Sequence, residues 1–502
     1  MDIIAKIKST AIETPDRLVF SSRDGKMTYG ELWKKSSALA SYISNRLEGN
    51  REPIMVYGHK HPDMLVAFLA CVRSGHAYCP VDIGNPRERV SDIASAIDNE
   101  IVIVVQHEEM IDIDDKYEIV GREKLDTILE SDTSYDDNEP VSGDETYYII
   151  FTSGSTGKPK GVKIPADALN NYLKWSVTLS GGIPEATRFL NQAPFSFDLS
   201  VMDLYTGLAT GSTIIALDKG LQQDMPEMLK YIASSDIEYW VSTPSFSDMC
   251  LGEADFSEEN FGSIKAFLFC GEVLTKDTAK QLRARFPHAK VINTYGPTES
   301  TVMVTWLEVT KDIVQNYYEN LPIGKVKWGS KVELKNVDSE GKGEIAIIGN
   351  TVAKGYFKNE QLSKEKFGVD VLDGKEVRSY LTGDLGYFKD NMLFCEGRID
   401  FQVKLHGHRI ELEDIDNNLL KNKKIRQAAT LPNYENGKVK SLTTFIVYND
   451  KIEKRFEVTK EIKKQLKKLV PEYMVPKKIV FLEEMPLNNN GKIDKKKLKE
   501  LV

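Results

Sequence analysis

YYIIFTSGSTGKPKG, residues 147 to 161, joins an apolar run of strand length to a loop crowded with glycine, hydroxyls and lysine. The run Tyr147 to Phe151 predicts a strand. Beyond it, Gly154, Gly157 and Gly161 permit close backbone approach to a ligand. Thr152, Ser153, Ser155 and Thr156 offer hydroxyl donors, and Lys158 and Lys160 add positive charge, so the loop suits a polyphosphate. It is not a Walker A loop. That pattern needs glycine where Thr152 stands and a hydroxyl residue where Pro159 stands, and proline has neither an N–H nor a hydroxyl to offer. A phosphoryl-transfer P-loop enzyme is therefore disfavoured, as is a bare turn, because loops of this kind concentrate function.

The same strand-then-loop grammar extends in both directions. Ile54 to Tyr57, Thr213 to Leu217, Tyr239 to Thr243, Ala266 to Cys270 and Val291 to Thr294 have strand length and turn-like flanks. Between them, Met64 to Arg73, Ala166 to Val177, Met225 to Ala233 and Lys276 to Arg285 carry apolar stripes at helical spacing. Repeated strand-helix-strand units predict an α/β protein of mainly parallel sheets covered by helices, with ligands at the carboxyl ends of the strands. After Gly397 the character changes. Residues 400 to 502 read as a small α+β domain, with strand-like Leu442 to Tyr448 and Ile479 to Leu482 and a Lys-rich helix around Val458 to Leu469. The expected division is 1–399 and 400–502.

Composition narrows the function classes. A chain of 502 residues, 41% hydrophobic and 28% charged, has material for several cores. A formal charge of -9 argues against nucleic acid as a main partner. Five scattered cysteines without a CxxC pair indicate neither a disulfide framework nor a zinc site. No apolar run approaches the length of a membrane span, and MDIIAKIKSTAIETPDR lacks the features of a secretory signal, so a cytoplasmic protein that is not membrane-embedded is expected. Acidic residues crowd 92 to 145, and lysines crowd 451 to 502. The lysines read as a solvated helix face, with a docking surface for an acidic protein as the alternative.

Three further loops add chemistry. In NTYGPTES, Asn293 to Ser300, Tyr295 suits a nucleotide base, Gly296 its edge, Thr298 a phosphate, and Glu299 a magnesium ion through a hard oxygen. Asp384 in YLTGDLGYF suits two ribose hydroxyls, or alternatively caps a turn. Arg398 in CEGRIDFQVK would reach the same sugar or the phosphate. Lys492 in PLNNNGKIDKKKL has nothing in composition to distinguish it from a solvated lysine. His406 and His408 resemble a metal pair only superficially, and a solvated or hinge-packing role is the reading.

The order of these motifs resembles the adenylate-forming superfamily of acyl-CoA synthetases, luciferases and peptide-synthetase adenylation domains. MTYGEL at 27 to 32, RSGHAYCPVD at 73 to 82 and GEIAIIG at 343 to 349 extend the likeness over nearly the whole chain. Within the superfamily, NQAPFSFDLSVMDLY and FLFCGEVL are most similar to the branch that activates D-alanine for a carrier protein in teichoic acid D-alanylation.

The resemblance implies a large lobe that also contains a β-barrel-like subdomain, and a mobile small domain turning about Asp400. It implies ATP contacts from Thr152, Ser153, Asn293, Thr294, Tyr295, Gly296, Pro297, Thr298, Asp384, Cys395, Glu396, Gly397 and Arg398, with Mg2+ on Glu299. Asp198 would hold the substrate ammonium, and Cys270 and Val302 would wall a pocket little larger than a methyl group. Lys492 would bridge the substrate carboxylate and the α-phosphate as the catalytic cation. The implied partners are D-alanine and a carrier protein with a phosphopantetheine arm, served by a monomer. Two departures from the pattern stand at His408, where a tyrosine is usual, and at Cys395 with Glu396, where an aromatic-polar pair is usual.

Overall fold

Nine strands form the larger sheet, in the order Lys325–Val326, Thr305–Glu308, Lys290–Tyr295, Ala266–Phe269, Tyr239–Ser242, Arg188–Asn191, Thr213–Ala216, Leu18–Ser22 and Gly25–Thr28. Its interior pairs are parallel, and antiparallel neighbours occur only towards its two ends. The structure is a computed structural model, and it describes residues 2–107, 111–154, 159–317, 321–399, 402–435, 437–450, 452, 454–486 and 493–501.

A second sheet of six strands runs in the order Glu118–Val120, Ile101–Val104, Ile54–Tyr57, Tyr78–Val81, Thr146–Thr152, Lys160–Pro165. It is parallel except where Lys160–Pro165 returns along Thr146–Thr152. Helices cover these sheets because their apolar stripes have no other place to go. Pro62–Arg73 is buried along its whole length, and its core partners come from both sheets. The predicted strands of these two sheets appear within a residue of their expected ends, whereas the small-domain strand expected from Leu442 already begins at Lys438. Leu217, Thr243 and Cys270 continue the apolar pattern but leave the ladder, because each begins a loop at a carboxyl end.

A third sheet, the subdomain expected to be barrel-like, is antiparallel and five-stranded: Ser330–Lys335, Gly343–Gly349, Lys375–Lys389, Phe367–Leu372, with Met392–Arg398 on the second half of the long strand. Its apolar face packs Ile345, Ile347, Tyr380 and Leu393, with the adjoining Val352, against Tyr295 of the large sheet and Val304 just before the strand Thr305–Glu308. This fixes the long strand's Asp384 beside the NTYGPTES loop.

From Gln402 onward the chain builds its own core. A hairpin, Gln402–Leu405 with His408–Glu411, precedes the helix Leu412–Leu420 and the sheet Ile425–Glu435, Lys438–Tyr448, Lys478–Leu482. Val403, Ile410, Ile415, Ile446, Ile462 and Leu466 close one cluster drawn from these elements and the helix Arg455–Leu469. That helix buries only Ile462 and Leu466, so most of its lysines face outward. His408 stacks on Tyr473, ring centroids 3.7 Å apart and planes within 4°. Among the described residues no group of three His, Cys, Asp or Glu is placed to hold a metal, and no helix is long and apolar enough to cross a membrane.

One buried charge shows how the large lobe is tied together. Arg73, fully buried, donates to Asp137 at 2.6 Å, to Ser36 at 2.7 Å and to the Trp33 carbonyl at 3.1 Å, and its guanidinium lies 3.6 Å from the Trp33 ring centroid. Burial pushes its pKa down, while Asp137 counters that and supplies the opposite charge. Asp137→Ala leaves the cation buried without its counter-charge, a change that costs about 3–5 kcal/mol in comparable pairs. A urea titration is expected to show a lowered midpoint with an unchanged slope.

Candidate active site

Carboxyl ends of parallel strands deliver the site. Arg188–Asn191 ends in the loop that carries Asp198, Ala266–Phe269 ends at Cys270, Lys290–Tyr295 ends at the NTYGPTES loop, and Thr146–Thr152 ends at the glycine-rich loop. Asp198 stands at the start of the helix Leu199–Ala209 and accepts no hydrogen bond from that helix's own backbone. The residue is 8% exposed, and its carboxylate accepts from the Thr298 hydroxyl at 2.7 Å. The loop is anchored from beneath by Lys60, a fully buried cation that donates to the Asn191 side chain and the Ala193 carbonyl. Asn191 in turn donates to Asp203 at 2.6 Å.

Asp198 lines a cleft together with Cys270, Val302, Gly296, Pro297, Thr298, Asp384 and Arg398. The Cys270 thiol lies 3.6 Å from the Val302 carbonyl, and both side chains are buried. Val302 has φ of 68°, a left-handed conformation that a β-branched residue rarely accepts. The turn is held there from the other side. A Cβ at Gly296 would stand 2.4 Å from the Met303 Cα and 2.8 Å from the Val302 carbonyl oxygen, so only glycine lets the two loops touch. Strain at a binding wall is where such conformations collect.

Asp384 and Arg398 are cross-strand partners, which places their side chains together. Arg398 donates to Asp384 at 2.8 Å and to the Thr382 carbonyl at 3.1 Å, and the Tyr295 hydroxyl donates to the other Asp384 oxygen at 2.5 Å. Asn293 and Thr294 spend side-chain hydrogen bonds on the Pro322 and Phe269 carbonyls, at 3.0 and 2.7 Å, and so fix the strand beneath the cleft. Cys395, Glu396 and Gly397 lead up to Arg398 on the same strand, with Glu396 paired to Lys342 at 2.8 Å. Burial pushes the Cys395 thiol up to about 12, so it is not a nucleophile at neutral pH.

The remaining predicted positions lie under the small domain's hairpin. Ser153 donates to the Arg409 carbonyl at 2.8 Å and accepts from the Glu411 N–H at 3.1 Å, while Thr152 donates to the Lys160 carbonyl at 3.4 Å. Lys160 pairs with Glu411 at 2.9 Å. Glu299 is fully buried; one oxygen accepts from Tyr356 at 2.7 Å and the other from Arg409 at 2.6 Å. Burial alone would raise its pKa, but Arg409 and Lys160 override this and hold it at about 2. An ionised, buried, hard-oxygen donor of this kind fits a divalent cation whenever Arg409 is withdrawn. Lys492 and Asp400 lie outside the described residues.

Three positions that line the cleft, Lys404, Gly407 and Arg409, come from the hairpin and were not singled out by motif reading. The signal available for them was a glycine turn flanked by cations in KLHGHR. The turn is anchored by the Gly407 N–H, which donates to Glu272 at 2.7 Å.

Burial pushes the Asp198 carboxyl above its ordinary pKa, and the Thr298 hydrogen bond and the Lys404 charge pull it partly back. The ionised form is the one that attracts an ammonium group. As pH falls through that raised pKa, Asp198 takes up a proton and the attraction is lost. The KM for an amino acid is therefore expected to climb on acidification from a higher pH than an exposed aspartate would dictate, with the KM for ATP changing less. Initial rates from pH 8 to pH 5 at saturating ATP check this.

A family model described as AMP-binding enzyme matches residues 7–357, and one described as AMP-binding enzyme C-terminal domain matches residues 414–492. The chain belongs to the AMP-binding enzyme family. Among the relatives of this AMP-binding enzyme are the D-alanine--D-alanyl carrier protein ligases of Bacillus cereus strains AH187 and Q1 and of Bacillus mycoides strain KBAB4. Each is 42% identical over 506 residues and covers 99% of both chains. Solved structures with the same fold include the Vibrio cholerae adenylation domain AlmE in complex with glycyl-adenosine-5'-phosphate, with a TM-score of 0.79 at 20% identity, covering 100% of this chain and 97% of that one. Another is holo-PA1221, an NRPS protein containing adenylation and PCP domains, with a TM-score of 0.82 at 23% identity, covering 100% of this chain and 84% of that one.

Proposed function

We propose that this enzyme activates D-alanine with ATP to D-alanyl-adenylate and pyrophosphate, then transfers the D-alanyl group to the phosphopantetheine thiol of a carrier protein for teichoic acid D-alanylation. The observation that carries this reading is the buried Asp198 carboxylate at a cleft walled by Cys270 and Val302. A buried carboxylate that makes no salt bridge among the described residues favours an ammonium substrate and disfavours an acyl tail. Names carried by relatives 42% identical over the whole length support the amino acid and the carrier.

The steps follow from the residues. With its ammonium on Asp198, the substrate presents a carboxylate oxygen to the α-phosphorus of ATP. An O–P bond forms as the bond to pyrophosphate breaks. Asp384 and Arg398 would fix the ribose, and Lys492 would offset the repulsion between the two anions. Mg2+ on Glu299 would neutralise charge on the departing pyrophosphate. In the second half-reaction the carrier thiol gives up its proton, its sulfur attacks the carbonyl carbon of the adenylate, and AMP leaves. Turning of residues 400–502 about Asp400 would withdraw Lys492 and seat the hairpin between the two steps. We assign the work to a cytoplasmic monomer.

Amino-acid-dependent exchange of labelled pyrophosphate into ATP tests the reading. A panel of D-alanine, L-alanine, glycine, D-serine and a short fatty acid is expected to give the greatest exchange with D-alanine. A maximum with another amino acid would indicate a free-standing adenylation enzyme of different substrate, and one with the fatty acid an acyl-CoA synthetase. Lys492→Ala is expected to abolish exchange while ATP still binds, as a filter-binding assay would register.

A further inference from the structure

Between the strand Arg188–Asn191 and the helix Leu199–Ala209, residues 192 to 198 belong to no strand or helix, yet they end on the carboxylate assigned to the substrate amine. Lys60, which follows the strand Ile54–Tyr57 of the six-stranded sheet, bears on this segment from outside. It donates to the Asn191 side-chain oxygen and to the Ala193 carbonyl, and its ammonium stands 4.5 Å from the Phe195 ring centroid. From there the bend closes at once. The Phe197 N–H donates to the Pro194 carbonyl at 2.9 Å, and the Asp198 carbonyl accepts from the Val201 N–H at 2.9 Å. Lys60 is itself held on both sides. His59 pairs with Asp82 at 2.6 Å and donates its N–H to Gln106 at 3.0 Å, while His61 caps the buried helix Pro62–Arg73, accepting from the Asp63 N–H at 3.1 Å.

Lys60 has no exposure to water, and among the described residues no carboxylate forms a salt bridge with it. A methionine of similar length would fill the same space without the cost of burying a charge. Burial pushes the Lys60 pKa down to about 8, with Asp203 and Asp82 opposing the fall, so the ammonium form is the one present at neutral pH. Its link to the site runs through Asn191. That side chain turns its oxygen to Lys60 and its amide to Asp203 at 2.6 Å, on the helix that Asp198 begins. Resting on the functional reading above, we infer that Lys60 is a positioning residue for amine recognition: by fixing Asn191, Ala193 and Phe195 it sets the place of the Asp198 carboxylate, and with it the affinity for the substrate ammonium. The contact between that ammonium and Asp198 is kept from the bound state through adenylation, so its loss falls on the KM for the amino acid rather than on kcat.

Pyrophosphate exchange is compared in the parent, Lys60→Met, Lys60→Arg and Asp137→Ala. Asp137 does not line the cleft, so Asp137→Ala reports what a general loss of stability does. Lys60→Met is expected to raise the KM for D-alanine at least about ten-fold, with the KM for ATP within about two-fold of the parent. Lys60→Arg, which keeps the cation and its donors, should fall between the two, and Asp137→Ala should match the parent in both constants. Should Lys60→Met fail to fold, Lys60→Gln replaces it and the same split is expected. An unchanged KM for D-alanine in the folded variant would overturn the inference, as would equal rises in both KM values or an equal rise in Asp137→Ala. A parent that exchanges with no amino acid would strike the functional reading and the inference together, whereas an active parent with an unmoved Lys60 variant strikes the inference alone.

Discussion

Asp198→Asn is expected to lower kcat/KM for D-alanine by about two to four orders of magnitude, the equivalent of the roughly 3–5 kcal/mol lost when one member of a buried charge pair is removed. The substitution keeps the shape and the acceptor for Thr298, which stands at 2.7 Å, so the loop from Asn191 to Asp198 stays in place. What disappears is the negative charge. The loss should therefore fall on the amino acid and leave the KM for ATP nearly untouched, because the nucleotide is expected to be held by Asp384 and Arg398 on a different sheet. Exchange kinetics with each substrate varied in turn separate the two.

Gly407→Val is expected to reduce thiol loading by at least about a hundred-fold, with pyrophosphate exchange affected far less. Gly407 has φ of 81°, and even a Cβ there would stand 2.4 Å from the Thr243 Cγ2 and 3.2 Å from the Phe197 ring. Thr243 caps its own helix through Phe246, so it is not free to step aside. A β-branched residue adds backbone strain to the clash. The hairpin then cannot seat on Glu272, and a hundred-fold change requires only about 2.7 kcal/mol of lost docking energy. Single-turnover loading of carrier from preformed adenylate gives the readout.

Local features of the site were legible in the sequence because they are local. The glycine-rich loop after Tyr147 to Phe151 and the NTYGPTES loop lie where strand ladders stop, and apolar runs mark those stops to within a residue. Lys276–Arg285 was legible from its apolar stripe at helical spacing, and the structure adds the Thr275 cap, which accepts from the Thr278 N–H at 3.1 Å. The contacts between the small domain and the site were not legible. Arg409 and Glu299 are 110 residues apart, and neither has a sequence neighbour that betrays the pairing. The same holds for Lys60, whose burial among Asn191, Ala193 and Phe195 depends on how the two large sheets meet. The left-handed Val302 was hidden for a different reason: valine argues against that conformation, and only the closeness of Gly296 shows why the chain accepts it. The family resemblance gave Asn293 and Thr294 to the nucleotide, and their side chains are bonded to the Pro322 and Phe269 carbonyls.

The most direct test of the account is calorimetric titration of the protein with the non-hydrolysable sulfamoyl analogue of D-alanyl-adenylate and with the same analogue lacking the amino group. The two ligands differ only in the ammonium assigned to Asp198. The amino form is expected to bind at least about a hundred-fold more tightly, close to 3 kcal/mol, and Asp198→Asn should erase most of the difference. Equal affinity of the two ligands for the unmodified protein would contradict the assignment of Asp198, and with it the choice of an amino acid as substrate.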